Sequence, residues 1–293
     1  MFSWETLKEQ YYFWRQRRKF LKCHGLGFDL VNPRSYSEKV IWRKVYDRNP
    51  LFPLLADKHR SREYVLQKLG WQKGREILVP LLFVTDKPEK IPFKDLPEEY
   101  IVKPNHGSGW SIIVDPDYPA NPRVIVAKCR KWLRKVYGRS KMEWAYSEIR
   151  PVILVEKLLK DSDGKIPTDW KFEVINGRVE IVYLLHDRFG SPSEAIYDRD
   201  FTRLWICTYR VDAPEIEKPG NFEEMVAIAE ELASEVDFLR VDLYNVGGKI
   251  AFGEFTLYPA SGLYRYEPVS FDFTIGERWV LDRSHGRYFK PWF

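Results

Sequence analysis

The residues best suited to chemistry lie near the C-terminus: Arg240, Asp242, Glu254 and Thr256. Residues 238–244 and 249–257 read as two strands joined by a tight turn through Asn245-Val246-Gly247-Gly248. Side chains alternate along a strand, so Arg240 and Asp242 share one face, and Glu254 and Thr256 share a face of the partner. All four fall on one side of the hairpin if its loop has an odd residue count. A three-residue loop, Val246 to Gly248, with a glycine at positive φ supplies that count. In this register Asp242 lies diagonal to Glu254, roughly 7–8 Å away between backbones, a gap that a bound Mg²⁺ bridges. Oxygen ligands beside an arginine point to magnesium-dependent phosphate chemistry. The same pattern also fits an ordinary amphipathic hairpin with one solvated face.

Two further groups suit a phosphate. Lys103 precedes Asn105-His106-Gly107-Ser108-Gly109-Trp110. Small residues there let the backbone approach a polyphosphate, while the lysine supplies point charge. His106 sits in that loop and is a candidate assistant. A plain turn fits too, and no Walker-type G-x-x-x-x-G-K-[ST] occurs anywhere in the chain. Asp169 and Lys171 point the same way from one strand, so Lys171 can approach a phosphate, although an exposed hairpin lysine would look the same. Asp161-Ser162-Asp163-Gly164 begins like a calcium loop but lacks the twelfth-position Glu, so it reads as a polar turn. None of the five histidines pairs at metal-ligand spacing, and no nucleophile elbow or catalytic cysteine arrangement occurs.

The elements that must position these groups follow from pattern. Residues 1–24 form a basic aromatic helix, able to lie on an anionic membrane or near a lipid-linked substrate, or to dock by its aromatic face. Short helices are expected at 37–46 and 57–69, and buried strands at 77–84 and 151–159. Residues 100–104 and 111–115 form strands flanking the glycine loop, and 123–137 a basic helix. Residues 170–175 and 178–185 form a hairpin on an Asn176-Gly177 type I′ turn. Asn221, with Glu224 three residues on, marks the capping-box start of a helix to about 236. Hairpins alternating with isolated helices indicate an α+β architecture. The stretch from Trp279 to Phe293 carries no motif that can be interpreted.

Composition bounds the rest. The chain has 293 residues, 44% hydrophobic and 30% charged, which supports a packed core. Forty-seven Lys and Arg against 42 Asp and Glu give a net charge of +5, a mild excess that suits anionic ligands. No nucleic-acid-binding signature is present. Cys23, Cys129 and Cys207 are scattered without a C-x-x-C, which argues for a reducing compartment and a cytoplasmic protein. No apolar run reaches membrane-span length.

Taken in order, these segments resemble the ATP-grasp superfamily. The match runs through Asp57-Lys58, Tyr100-Ile101-Val102-Lys103-Pro104 with its glycine loop, Val152 to Glu156, Asp169-Trp170-Lys171, Arg240-Val241-Asp242 and Gly253-Glu254-Phe255-Thr256. The whole chain is most similar to the TupA-like ATP-grasp family of bacterial surface-polysaccharide and teichuronopeptide gene sets. NPRSYSEKVIWRKVYDRNPLF, LADKHRSREYV, KPNHGSGW and FGEFTLYPASG carry that likeness, over roughly residues 28–275. The resemblance implies an α+β fold in which two lobes grip ATP. On this division residues 1–56 are a helical N-terminal segment. Residues 57–155 are the first lobe, with the glycine loop at 105–110. Residues 156–293 are the second lobe, with the metal hairpin and a C-terminal extension.

The resemblance also implies roles. Lys58 and Lys103 hold the nucleotide phosphates, and Gly107, Ser108 and Gly109 form a mobile loop over them. Glu156, Lys157 and Leu158 are the hinge that meets adenine, with Asp169 nearby. Lys171 stands near the γ-phosphate, Asp242 and Glu254 bind Mg²⁺, and Arg240 steadies the transferring phosphoryl group or tetrahedral intermediate. Thr256 departs from the family, which usually has Asn there, and this puts a second metal ion in doubt. A full N-terminal substrate-binding domain is not evident. The activity implied is ATP- and Mg²⁺-dependent joining of a carboxylate, such as a glycan uronic acid, to an amine through an acylphosphate. A kinase acting on a glycan hydroxyl, or a non-catalytic glycan- or membrane-binding module, are the alternatives.

Overall fold

The computed structural model describes residues 4–186, 191–208 and 211–286. The helices are α1 (Trp4–His24), α2 (Tyr36–Val45), α3 (Phe52–Ala56), α4 (Ser61–Leu69), α5 (Trp71–Ile77), α6 (Pro122–Leu133), α7 (Phe222–Ala233) and α8 (Ser270–Arg278). The strands are β1 (Leu81–Thr85), β2 (Tyr100–Pro104), β3 (Ile112–Val114), β4 (Ile153–Lys157), β5 (Asp169–Ile175), β6 (Arg178–His186), β7 (Ser193–Tyr197), β8 (Val211–Asp212), β9 (Phe238–Val246) and β10 (Lys249–Thr256). Among the described residues they build two sheets, ordered β1-β4-β2-β3 and β10-β9-β5-β6-β7-β8. No described helix is long and apolar enough to cross a membrane.

The smaller sheet has its own core of Tyr100, Val102, Ile153 and Val155, closed by Ile125 and Cys129 of α6. In the larger sheet the period-two alternation divides two kinds of chemistry. Trp170, Phe172 and Val174 of β5 and Leu239, Val241 and Leu243 of β9 join the apolar residues of α7 in the main core. The intervening residues, Asp169, Lys171, Glu173, Arg240 and Asp242, occupy the other face. That polar face is where the site forms.

The expected division at 57 and 156 does not follow the packing. Phe52, Leu55, Tyr64, Val65 and Ile77 of α3 to α5 belong to the core of the larger sheet, although they precede the smaller sheet in sequence. Amphipathic helices carry no mark of which sheet they will cover, so the boundary was not legible. Trp279, in the segment without a motif, is fully buried. It stacks on Phe238 at 4.6 Å and donates to Asp237 at 2.8 Å. Residues 287–293 of that segment lie outside the described residues.

Helix starts differ from expectation in one instructive place. Asn221 precedes α7 but makes no capping hydrogen bond. Its side chain instead donates to the Gly248 carbonyl at 2.9 Å and accepts from Asn245 at 2.8 Å, holding the β9–β10 turn against the helix. A complete capping box occurs at α2, where Ser35 and Glu38 cap each other's backbone amides. The β5–β6 turn has Asn176 at φ 48° and Gly177 at φ 81°, as a type I′ turn requires.

α1 docks by a narrow strip. Gln16 and Phe20 are buried, and Phe20 meets Phe28 edge to face. Leu7, Tyr11, Trp14 and Leu21 lie on the opposite side of the helix and are exposed, with Arg17, Arg18, Lys19 and Lys22 exposed around them.

Candidate active site

The β9–β10 hairpin brings its four residues to one side by a different device from the one expected. Its loop has two residues: Val246 pairs with Lys249, and Gly247 and Gly248 turn at φ 58° and 82°. The odd residue lies within β10 as a bulge at Gly253, where the register shifts between Phe252 and Glu254. Asp242 therefore stands directly opposite Glu254, not diagonal to it, and Arg240 stands opposite Thr256. A Cβ on Gly253 would come to 3.0 Å of the Asp242 carbonyl oxygen, so a larger residue there would press the bulge against β9 by a few tenths of an ångström.

Across the sheet, Lys171 pairs with Asp242 and Glu173 with Arg240 in register. Asp242 is buried and accepts from Arg240 Nε at 2.7 Å, Arg240 Nη2 at 2.8 Å and Lys171 Nζ at 2.9 Å. Lys171 also reaches Asp169 at 3.3 Å. Two cations and two carboxylates thus form one network in register across adjacent strands.

Opposite this network stand two lysines, Lys103 on the smaller sheet and Lys58 in the turn between α3 and α4. Lys103 of β2 pairs with Glu156 at 2.6 Å, and Glu156 also meets Arg62 at 3.7 Å. Lys58 pairs with Glu254 at 2.8 Å and donates to the Gly107 carbonyl at 2.6 Å. Its backbone is held because Asp57 accepts from the amides of His59 and Arg60 and from the Asn105 side chain. Asn105 also accepts from the Val152 amide at 2.8 Å, which ties the base of the loop to the strand beside it.

The glycine loop is pinned at its base and exposed at its tip. His106 is buried, with Nε2 3.1 Å from the Lys135 carbonyl oxygen and its ring edge to face with Trp110. Burial lowers its pKa, so a neutral imidazole anchors the loop. His106 is therefore not among the cleft-lining side chains, contrary to its expected phosphate role. Gly107 has φ 118°, and a Cβ there would crowd Trp110 at 3.1 Å and Tyr137 at 3.2 Å. Ser108 and Gly109 are exposed.

These groups line a cleft of about 890 Å³ between the sheets, walled by Ile101, Leu158, Ile166 and Phe252 and edged by Lys58, Lys103 and Glu254. Glu156, Lys157 and Leu158 all line it, and the Glu156 carboxylate is paired with Lys103 and Arg62. Asp169 and Tyr244 mark its end nearest the hairpin turn. A second cavity continues beyond Lys171 and Arg240, lined by Tyr36, Glu173, Tyr183, Glu194, Tyr264 and Tyr266.

For a divalent cation the donor set is Asp242 and Glu254, with the Thr256 hydroxyl as a neutral third oxygen. Among the described residues no group of three or more His, Cys, Asp or Glu side chains gathers into a cage. Mg²⁺ does not need one, because it commonly takes one or two carboxylates and completes its shell with phosphate oxygens and water. The residues present fit that ion.

Sequence reasoning missed Arg62, Glu194 and the tyrosines of the second cavity. Glu173 carried a signal, since the two-residue period that joins Asp169 to Lys171 continues to it. Tyr36, Tyr264 and Tyr266 carried none, because they reach the cavity from α2 and from the chain after β10.

No curated protein matches the chain. Among solved structures it is similar to D-alanine–D-alanine ligase from Bacillus anthracis complexed with ATP, at 16% identity over 70% of this chain and 55% of that one, TM-score 0.41. It is also similar to an L-amino acid ligase from Bacillus licheniformis, at 15% identity over 71% and 44%, TM-score 0.45. A third is the ATP-grasp ligase PsnB complexed with a phosphomimetic precursor variant, Mg and ADP, at 14% identity over 71% and 52%, TM-score 0.39. The chain spans 55%, 44% and 52% of the length of these three. A protein-family model described as TupA-like ATPgrasp matches residues 38–280, from the capped start of α2 to just beyond α8, and on that match the chain belongs to the TupA-like ATP-grasp family.

Proposed function

We propose that this protein is an ATP- and Mg²⁺-dependent ligase that joins a carboxylate to an amine through an acylphosphate. The observation that carries the reading is the order of groups along β5 and β9. Asp169 and Tyr244 border the cleft, Lys171 and Asp242 come next with Glu254 opposite, and Glu173 and Arg240 open into the second cavity. A triphosphate entering from the cleft meets Lys58 and Lys103 first and ends at Lys171 and Arg240. The apolar wall and the hinge at Lys157 and Leu158 receive the base.

The chain's own residues do four things on this reading. Lys58 and Lys103 exchange their carboxylate partners for phosphate oxygens. Lys171 neutralises charge on the transferring phosphoryl group. Arg240, with its planar fork, stabilises the tetrahedral oxyanion when the amine attacks. The glycine loop excludes water from the acylphosphate. Bound Mg²⁺, held by Asp242 and Glu254, supplies the remaining charge neutralisation of the phosphates. Positioning and electrostatics suffice, so no protein nucleophile is required. Family context supports a uronic acid of a surface polysaccharide or its nucleotide-sugar precursor as the carboxylate. The free thiols Cys23, Cys129 and Cys207 fit a cytoplasmic site of action.

The test is release of inorganic phosphate from ATP, screened over uronic acids and small amines. Phosphate released only when both partners are present, with an amide product by mass, supports the ligase. A stable phosphorylated product formed without amine would make it a kinase instead.

The exposed stripe of Leu7, Tyr11, Trp14 and Leu21, set among four exposed basic residues, supports peripheral contact of α1 with an anionic membrane. Co-sedimentation with phosphatidylglycerol vesicles should weaken several-fold in Trp14→Ala, and equal binding by that variant would remove this part of the reading.

A further inference from the structure

The second cavity has a chemistry of its own. Its open space is about 1060 Å³, and its inner end holds two carboxylates, Glu173 and Glu194, among Tyr36, Tyr183, Tyr264 and Tyr266. Lys171 and Arg240 also line the cavity, and both are already paired with Asp242.

Glu173 is the informative group. It is only 2% exposed, and one carboxylate oxygen accepts from Tyr36 at 2.8 Å. The other, Oε2, has no hydrogen-bond partner among the described residues. A buried carboxylate oxygen left without a donor is costly unless a ligand supplies one. Around it stands an aromatic wall: Tyr264 meets Tyr183 edge to face at 5.7 Å and Tyr266 at 5.1 Å. Tyr183 and Tyr266 share a hydroxyl hydrogen bond of 2.6 Å. Tyr264 and Thr208 both donate to Glu194, the latter at 3.0 Å. Aromatic faces and carboxylates together recognise a cation that carries hydrogen-bond donors.

Position agrees with chemistry. Glu173 lies two residues beyond Lys171 on β5, roughly 7 Å farther from the nucleotide cleft, and pairs in register with Arg240. A nucleophile held there lies beside Arg240, the residue assigned to the tetrahedral oxyanion, and beyond Lys171 from the nucleotide cleft.

We propose that the second cavity binds the amine co-substrate as its ammonium ion, with Glu173 as counterion and as acceptor of the proton the ammonium gives up to become the attacking amine. The assignment rests on the ligase reading and gives its amine a place. The step balances. The ammonium gives one proton to the Glu173 carboxylate, and the freed nitrogen lone pair forms the C–N bond. The C–O bond to phosphate then breaks, and the second nitrogen proton leaves with the phosphate as hydrogen phosphate. The products are the amide, hydrogen phosphate and a protonated Glu173. The side chain is prepared for both states: burial pushes its carboxyl up to about 7, opposed by the Tyr36 hydroxyl of α2 and Arg240 of β9 and reinforced by Asp242 of β9 and Glu194 of β7. The same burial, with Glu173 beside them, holds the Tyr36, Tyr183 and Tyr266 hydroxyls protonated.

Calorimetric titration of the full chain with ethylamine tests the site, with acetate as the anionic control. Ethylamine should bind the wild type and bind Glu173→Gln about tenfold or more weakly, which is 1.4 kcal/mol or more. It should bind Tyr264→Ala several-fold more weakly, and acetate should not compete. Tyr264→Ala also carries the test if Glu173→Gln fails to fold. Equal ethylamine affinity in the variants, no binding to the wild type, or displacement by acetate overturns the proposal. A non-hydrolysable ATP analogue with Mg²⁺, titrated into the same proteins, separates the two readings. Nucleotide binding without Glu173-dependent ethylamine binding overturns the amine site alone. Ethylamine binding that follows Glu173 without nucleotide binding overturns the ligase and leaves an ammonium site.

Discussion

Asp242→Asn is the most informative single change, because Asp242 serves two purposes that separate experimentally. Without ligand it is the shared counterion of Arg240 and Lys171, through three charged hydrogen bonds of 2.7, 2.8 and 2.9 Å. Removing one partner from a buried ion pair costs ~3–5 kcal/mol. The cations are 16% and 13% exposed, and Lys171 keeps Asp169 at 3.3 Å, so partial rehydration places the loss at the lower end. A loss of about 3 kcal/mol lowers the melting temperature by roughly 5 °C in a chain of this length. With ligand the signs diverge. Mg²⁺ with a non-hydrolysable ATP analogue at a hundred times Kd should stabilise the wild type by about 2.7 kcal/mol. The variant should lose the Mg²⁺-dependent part of that gain. The Mg²⁺-free nucleotide should stabilise it at least as well as wild type, since Arg240 has lost its Asp242 counterion and Lys171 keeps only Asp169 beside the phosphates. Scanning fluorimetry with and without Mg²⁺ measures both effects. If Asp242→Asn melts with the wild type, the counterion argument fails; if its Mg²⁺ increment is unchanged, the metal assignment fails.

Lys103→Ala should lower nucleotide affinity about tenfold or more, because the phosphate loses a point charge and Glu156 is left buried with only Arg62 at 3.7 Å; calorimetric titration with ATP checks it. Gly253→Ala should fold but lose much of its Mg²⁺-dependent stabilisation, since its Cβ would press on the Asp242 carbonyl at 3.0 Å and separate the opposed carboxylates. An unchanged increment would show that the bulge does not set the metal geometry. For Glu173, the folded carboxyl titrates near 7 against an ordinary 4.5. A raised carboxyl keeps its full stability below the unfolded value and loses it as pH rises through the folded one, about 3 kcal/mol in all. Glu173→Gln escapes that loss, so urea denaturation should show the variant gaining on wild type as pH rises from about 5 to about 8. Parallel pH profiles would refute this.

Local pattern in the sequence was enough for β2, β3, β5, β6, β9 and β10, for α7, and for the polar face of the large sheet. Period two places Asp169 with Lys171 and Arg240 with Asp242 whatever their neighbours, because successive Cβ atoms leave a strand on opposite sides. The resemblance of the ordered motifs to one family supplied the fold and the proposed roles. Long-range choices were not written locally. Gly247-Gly248 permits a two- or a three-residue turn, and only the pairing of whole strands put the extra residue at Gly253. Asn221 looks like a helix cap but lies within reach of Asn245, and that contact displaced the cap. His106 belongs to a loop rich in phosphate-binding character, yet packing against the Lys135 carbonyl turned it inward. The tyrosines of the second cavity come from residues 36, 183, 264 and 266. Their meeting depends on α2 and the chain after β10 closing over the same sheet face, which no window of sequence contains.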